Sequence, residues 1–455
     1  MSEVSIHRQS RRRFLKHATL ALAAPAVVPA SAVGADSQPA PSERVTLGMI
    51  GVGRQVCAYN LRRFVNLPDV QVVALCDVDR WRLAVTNDRV SNYYGGKGRC
   101  GPFGKVDRYV DFRKVIDRDD IDAVMISTPD HWHVPMAVMA AKAGKDVSLE
   151  KPIARSVAEG RLLVKVMKKY KRVFRMDSEF RAKPVLHKAC ALVRDGRIGK
   201  LKEMVVCVPR IAPLAPTQTE PAAVPKELNY DLWLGPAADK PYCLDRVHAR
   251  EGYQRPGWIR NSEYNDGMVC NWGAHMLDIA QLAANTEQTC PVEVEAVSSE
   301  FGIGMWGNLH NFELRYRYAN GVKMTFKSDD CYIKFIGEDG TISAKSFGGA
   351  VESDPPIIAK KTYRPGTAPI RRVSEERDFI DCVKSRKQTL VDAEAAHRVS
   401  STAHIGLIAV KTGIGARLKY DVAKEQFTNN DEANKLLGLP VAREQWSYPK
   451  ILGDV

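Results

Sequence analysis

The chain has no Cys-x-x-Cys pair, no internal repeat, no low-complexity tract and no apolar run long enough to cross a bilayer comfortably. Each absence removes a class of protein. Solenoids and propellers need the repeat. Disordered chains need a composition poorer in apolar residues than the 45% found here. The ten cysteines stand apart, at 57, 76, 100, 190, 207, 243, 270, 290, 331 and 382. Several, such as Cys76 and Cys207, sit in apolar, strand-like runs, so they read as buried thiols and few or no disulfides are expected.

What is present begins with an address. Arg11-Arg12-Arg13-Phe14-Leu15-Lys16 is followed by an apolar run from Ala18 to Val28 and by small residues ending in Val33-Gly34-Ala35. Charged, apolar and small segments in that order make a signal peptide, and an arginine pair before Phe-Leu-Lys is close to the twin-arginine (Tat) pattern. Residues 1–35 are therefore expected to engage the Tat export machinery as a folded protein and to be removed, leaving a soluble periplasmic chain that starts near Asp36. Basic residues exceed acidic ones by 14. The leader holds five of the bases and one of the acids, so the mature chain carries +10. Those charges are spread along the sequence, which reads as a solvated surface and not as a nucleic-acid footprint.

From Val45 short apolar runs alternate with helical stretches: Val45–Ile50, Val70–Cys76, Ala123–Ser127 and Asp146–Leu149 as strands, with helices between. This alternation predicts a parallel, doubly wound sheet over residues 43–175. Residues 176–455 change character. Phe312–Tyr318 and Val322–Lys327 flank Asn320-Gly321, and Tyr332–Ile336 and Thr341–Ala344 flank Glu338-Asp339-Gly340, so two hairpins and an antiparallel sheet are expected. Residues 208–266, rich in Pro, Trp, Tyr and Arg, read as a long ordered insertion over a site. Two helices, Glu375–Ser385 and Ala393–Thr412, are expected to close the fold within 375–412.

Gly51-Val52-Gly53 ends the first strand and, through Arg54 and Gln55, enters a helix. That context suits a dinucleotide: the glycines admit the pyrophosphate to the backbone and the helix N-terminus meets its charge. Val56 stands where the third glycine of the fingerprint would be. Asp77, at the end of the second strand, is placed to accept hydrogen bonds from ribose hydroxyls and would repel a 2′-phosphate, which favours NAD; Arg80 and Arg82 leave NADP open.

Two further motifs lie at carboxyl ends of the parallel strands, Ser127-Thr128-Pro129-Asp130-His131-Trp132-His133 and Glu150-Lys151-Pro152. Downstream come Tyr230-Asp231-Leu232-Trp233-Leu234-Gly235-Pro236, Asn271-Trp272-Gly273-Ala274-His275-Met276-Leu277-Asp278 and Arg377-Asp378-Phe379-Ile380-Asp381. In this order the set resembles the Gfo/Idh/MocA family over nearly the whole mature chain, and most of all its Tat-exported branch that handles carbohydrates.

The resemblance implies an α/β fold: an N-terminal Rossmann domain and a C-terminal α+β domain with a large, mainly antiparallel open sheet. It implies NAD held by the loop Ser127 to His133 and by Glu150, and Lys151 and His275 as the proton-handling pair. Lys151 beside the nicotinamide would stabilise a developing alkoxide, and the His275 imidazole would take the hydroxyl proton. The family usually carries Asp one turn before the histidine, where it orients it; Asn271 stands there and has no charge to offer imidazolium. Asp278, one turn beyond, reads as either a substrate ligand or a structural partner. From the insertion, Trp258 and Arg260 are the substrate candidates, by stacking on a sugar face and by binding hydroxyls or carboxylates. His131 and His133 have no third ligand in view, so no metal is expected. The implied partner is a carbohydrate or polyol substrate, and the implied assembly a homodimer or homotetramer. Three functions follow: oxidation of a secondary hydroxyl, a redox-neutral NAD-dependent glycosidase or lyase acting through a keto-sugar, or a non-catalytic carbohydrate- or partner-binding protein.

Overall fold

The computed structural model describes residues 39–95, 106–247, 256–364 and 366–453. The leader, Cys100 and the residues from 248 to 255 lie outside them. The chain divides into two units, Met1–Arg44 and Val45–Val455. Of the first, Pro41–Glu43 form one turn of 3-10 helix; everything below concerns the second.

Six strands form the first sheet: β1 (Val45–Ile50), β2 (Val70–Cys76), β3 (Asp107–Tyr109), β4 (Ala123–Ile126), β5 (Asp146–Glu150) and β6 (Phe174–Asp177). Their order is β3-β2-β1-β4-β5-β6, all parallel. β4 and β5 are buried along their whole length, as strands covered by helices on both faces must be. The strand order reverses between β1 and β4, and the crevice at their carboxyl ends is where such sheets take ligands. The last strand runs to Asp177, two residues past the expected boundary.

The second sheet has nine strands in the order β13-β12-β11-β7-β10-β9-β8-β14-β15. They are β7 (Leu201–Pro209), β8 (Glu293–Phe301), β9 (Leu309–Arg317), β10 (Lys323–Asp329), β11 (Tyr332–Gly337), β12 (Thr341–Lys345), β13 (Glu352–Asp354), β14 (Arg417–Asp421) and β15 (Gln426–Phe427). β9 pairs with β10 across the Asn320-Gly321 turn, and β11 with β12 across Gly340. β7 inserts between β10 and β11, parallel to the first and antiparallel to the second. Along β10 burial alternates, with Met324 and Phe326 turned to the core, so one face of the sheet packs on helices and the other carries pairs such as Arg317–Glu293.

The chain then returns to the first sheet. Helix Glu375–Ser385, capped by the Ser374 hydroxyl, packs on β1 and β6, and Arg377 grips Asp69 through two hydrogen bonds of 2.5 and 2.9 Å. Helix Ala393–Thr412, capped by Asp392, packs between helices Val157–Lys169 and Gly273–Ala284. This long buried helix is the wall against which the helix of His275 is set. The nine cysteines among the described residues are all free thiols.

Candidate active site

The crevice over β1, β2, β4 and β5 is a cleft of about 1190 Å³. Gly51 takes φ +81, and a Cβ there would stand 2.7 Å from the Ser127 carbonyl, so only glycine lets the turn pass under the β4 loop. A Cβ at Gly53 would meet nothing within 4 Å, leaving open space above the turn. The helix that follows spans 54–65, with Val56–Asn60 in the wider π form and Val56 wholly buried. A side chain thus occupies the position where glycine ordinarily permits close helix–strand packing, and the turn there is wider than an α-helix.

Asp77 follows β2 directly, its carboxylate accepting the Asp79 N–H at 2.9 Å, and burial pushes its pKa up to about 6. Arg82 reaches Asp79 at 3.6 Å. On the β4 loop the Thr128 hydroxyl is buried without a partner among the described residues. Asp130 accepts from Asn265 Nδ2 at 2.6 Å, and burial pushes its pKa up to about 8. An open glycine turn, a strand-end carboxylate and an unpaired buried hydroxyl are the fittings that pyrophosphate and ribose require, so the residues present fit NAD. Arg54, Gln55, Ser127, Pro129, Trp132 and Glu150 complete the expected lining, and Gln55 is tied to Glu179 at 2.9 Å.

His131 and His133, expected to touch the cofactor, do not line the cleft. His131 Nε2 lies 3.1 Å from the Trp233 carbonyl, and His133 sits between the carbonyls of Pro152 and Thr128, at 2.7 and 2.9 Å. Backbone oxygens thus hold both rings, and the Trp233 carbonyl also accepts from the Trp132 indole at 3.2 Å. Burial pushes the two histidines down, to about 3 and about 4. Trp132 does face the cleft, while its indole N–H donates to the Leu232 carbonyl at 3.0 Å and so fastens the insertion to the β4 loop.

Lys151 follows β5 directly, and its ammonium donates to Asn271 Oδ1 at 3.2 Å. Beside it, Glu150 and Asp177 both accept from Asn60 Nδ2, at 3.0 and 2.6 Å, in a buried cluster with Arg175. Burial, with Asp177 as neighbour, drives the Glu150 carboxyl well above its usual value.

Asn271 therefore serves the lysine and does not orient His275. The Ser178 carbonyl does that, 2.6 Å from His275 Nδ1, while the ring stacks on Phe180 with centroids 4.4 Å apart. The Nδ1 proton is committed to that carbonyl, which leaves Nε2 as a lone pair. Burial, with the charge of Lys151, holds the imidazole pKa well below its ordinary value. Asp278 is wholly buried and, like His275, is not among the residues lining the cleft or the neighbouring chamber: Arg181 donates to it at 2.8 and 2.5 Å, and the Ser178 hydroxyl at 2.5 Å. Trp258 lines the cleft; Arg260 lines a neighbouring chamber with Trp272 and Asn308. Phe180, the Lys183 ammonium 3.5 Å from the centroid of its ring, and the chamber's Asn308 and His310 are not among the residues the sequence singles out. A polar pair in the buried start of β9, Asn308-Leu309-His310, is the one signal the sequence held for them.

A Rossmann sheet whose cleft fits NAD, joined to an open-sheet domain that sends one helix to Lys151, is the architecture of an NAD-binding oxidoreductase. The comparisons agree. Residues 45–178 match the model of the oxidoreductase family's NAD-binding Rossmann fold, and residues 213–448 match that of its C-terminal alpha/beta domain. The chain belongs to the Gfo/Idh/MocA family.

Among curated proteins it is 36% identical over 117 residues to an alpha-N-acetylgalactosaminidase of Shewanella oneidensis, covering 26% of this chain and 24% of that protein. A glycosyl hydrolase family 109 protein of Shewanella baltica is 32% identical over 169 residues, 34% of this chain and 36% of that one. The match thus spans a quarter to a third of these relatives. Two solved structures share the fold. The WlbA dehydrogenase of Bordetella pertussis, in complex with NADH and UDP-GlcNAcA, gives a TM-score of 0.60 at 14% identity, covering 83% of this chain and 99% of that one. The aldose-aldose oxidoreductase of Caulobacter crescentus, complexed with glycerol, gives 0.59 at 17% identity over 83% and 99%.

Proposed function

We propose that this protein oxidises a secondary hydroxyl of a sugar, glycoside or polyol, passing hydride to bound NAD. The observation that carries the reading is the meeting of Lys151 and Asn271 at 3.2 Å on the wall of the cofactor cleft, with the neutral His275 one turn further along the same helical segment. NAD, when bound, supplies the hydride acceptor. The chain supplies the rest. Lys151 spends one proton on Asn271 and aims the others at the oxygen where negative charge develops. His275, its Nδ1 committed to Ser178, offers Nε2 to the hydroxyl proton, a contribution of about 10²–10⁴-fold in rate for a well-placed base. Glu150 and Asp177, buried beneath, fix Asn60 and the end of β5.

A second reading draws on the glycosidase relatives: the hydroxyl is oxidised to a ketone with hydride going to NAD, the carbon next to the new carbonyl loses a proton, the aglycone leaves with its bonding pair from the following carbon, water adds there, and NADH returns its hydride to the carbonyl, with no net change in the dinucleotide. Export through the twin-arginine route with the cofactor already bound, and assembly into homodimers or homotetramers, belong to the same proposal, since free NAD is not replenished in the periplasm.

The test is the absorbance and mass of whatever heat-denatured, purified protein releases, followed by incubation of the native protein with a panel of sugars and aryl glycosides. Stoichiometric NAD or NADH and a reduced cofactor after sugar addition are expected. Aglycone release without net reduction selects the second reading. Protein that holds no dinucleotide and binds none when it is added overturns both.

A further inference from the structure

Asn271 and Ile259 line the cofactor cleft and also a second chamber of about 710 Å³. A hydroxyl held at Lys151 therefore belongs to a molecule whose remainder has this chamber beside it. Its polar lining is Asn271, Arg260, Asn265, Asn308 and His310, with Trp272 offering an aromatic wall, and no acidic residue among the described ones lines it.

The chamber is built for a ligand in three respects. His310 is 1% exposed, yet neither ring nitrogen has a hydrogen-bond partner among the described residues; the nearest carboxylate oxygen, of Glu300, stands 3.6 Å from Nε2. A buried imidazole left unpaired is costly unless something in the chamber pairs with it. Asn265 is held by the protein, donating to Asp130 and accepting from Gly267 N–H and Asn308 Nδ2, and so holds Asn308 in place at 3.3 Å. Arg260 touches only the Ala212 carbonyl, at 3.3 Å, and no carboxylate within ion-pair reach among the described residues. Burial lowers its pKa with nothing to offset it, whereas every other arginine with a resolved shift is raised by an acidic neighbour.

We infer that the substrate is an acidic sugar: the chamber is a uronic-acid subsite in which Arg260 pairs with the carboxylate while His310 and Asn308 bind ring hydroxyls. The inference rests on the reading of the protein as a sugar oxidoreductase and narrows it. One guanidinium matches one carboxylate in charge and in its two-pronged geometry. A phosphate dianion would leave half its charge uncompensated, and a neutral sugar would leave the half-buried guanidinium with no counter-charge.

Calorimetry on the NAD-loaded protein decides it, using methyl glycosides of glucuronic, galacturonic and mannuronic acid, their neutral counterparts and the corresponding 6-phosphates. At least one uronide should bind about tenfold or more tighter than its neutral counterpart, as a charge-assisted pair implies. Arg260→Gln should bring that uronide down to the level of the neutral sugar, and Arg260→Lys should retain part of the margin, both with NAD content unchanged. Equal or better binding of neutral sugars, tighter binding of a 6-phosphate, or an equal loss for both sugars in R260Q would overturn the inference. Protein that is full of NAD but binds and oxidises no sugar at all would remove the sugar reading itself and this subsite with it, a result distinct from neutral sugars being preferred.

Discussion

The ammonium of Lys151 and the side-chain oxygen of Asn271, 120 residues apart in sequence, meet at 3.2 Å and join the first sheet to the helical segment of His275. The amide accepts one lysine proton and so aims the other two. Lys151→Ala should lower kcat by about 10²–10⁴-fold, the range for removing a charge stabiliser or proton donor from a closed site. Asn271→Ala leaves the ammonium present but free to swing, and should cost about ten- to a hundredfold in kcat. Both variants should still release stoichiometric dinucleotide on denaturation. Loss of the cofactor from either would show that the pair holds NAD and does not act on the substrate.

Asp77 ties affinity for NAD to pH. Burial raises its pKa to about 6, above the ordinary 3.8, so the ionised form is the strained one in the free protein. Ribose hydroxyls donate to the carboxylate and favour that form, so binding should strengthen as pH rises through about 6 and weaken below it. For one group of that pKa the dissociation constant should rise about tenfold between pH 7 and pH 5. Titrations of apoprotein with NAD at a series of pH values measure this, and Asp77→Asn should flatten the curve. The raised pKa also works against stability: the contribution of Asp77 to the stability of the unliganded fold falls as pH rises from about 4 to about 6.

Gly51 has no tolerable replacement. Alanine would bring a Cβ to 2.7 Å from the Ser127 carbonyl in a backbone already at φ +81. The backbone strain alone costs about 1–3 kcal/mol, and relieving the clash moves the β4 loop that carries Thr128 and Asp130. Gly51→Ala should purify without dinucleotide and melt at lower temperature. Gly53→Ala, whose Cβ meets no protein atom, should fold normally and lose affinity only for NAD. Equal melting points for the two variants would contradict this account.

Local patterns in the sequence carried the frame far. The glycine turn, both hairpins and the two closing helices stand where the residues put them, because strand alternation, Asn-Gly turns and Ser374 or Asp392 caps act over a few residues. What sequence spacing does not contain is which buried carbonyl needs a donor. His131 and His133 share a motif with cofactor-facing residues, yet Trp233 and Pro152 claim their rings from other parts of the chain. The same holds for Asn271: helical spacing pairs it with His275, whereas the fold gives its oxygen to Lys151 and gives His275 to Ser178. The second chamber was illegible for a related reason. Its walls come from the insertion, from the Asn271 segment and from β9, and its definition lies in what stays unpaired after all three have met.

Asp278 lines neither the cleft nor the chamber, yet its partners connect it to His275. Arg181 and Ser178 both bind its carboxylate, and the backbone carbonyl of Ser178 fixes His275. Removing the carboxylate strands a buried guanidinium that retains Glu287 at 2.7 Å, and frees Ser178. Asp278→Ala should therefore cost about 3–5 kcal/mol of stability, the usual penalty for breaking a buried pair from one side. A double variant, Arg181→Met with Asp278→Leu, removes both charges and should recover much of that stability, since apolar replacement of a buried pair is often neutral. It should not recover kcat, because the Ser178 hydroxyl then has no carboxylate to fasten it and the carbonyl facing His275 Nδ1 is held only through its backbone. Urea unfolding and NAD-reduction kinetics on the two variants separate the effects. A double variant that regains both stability and kcat would reduce Asp278 to a packing role.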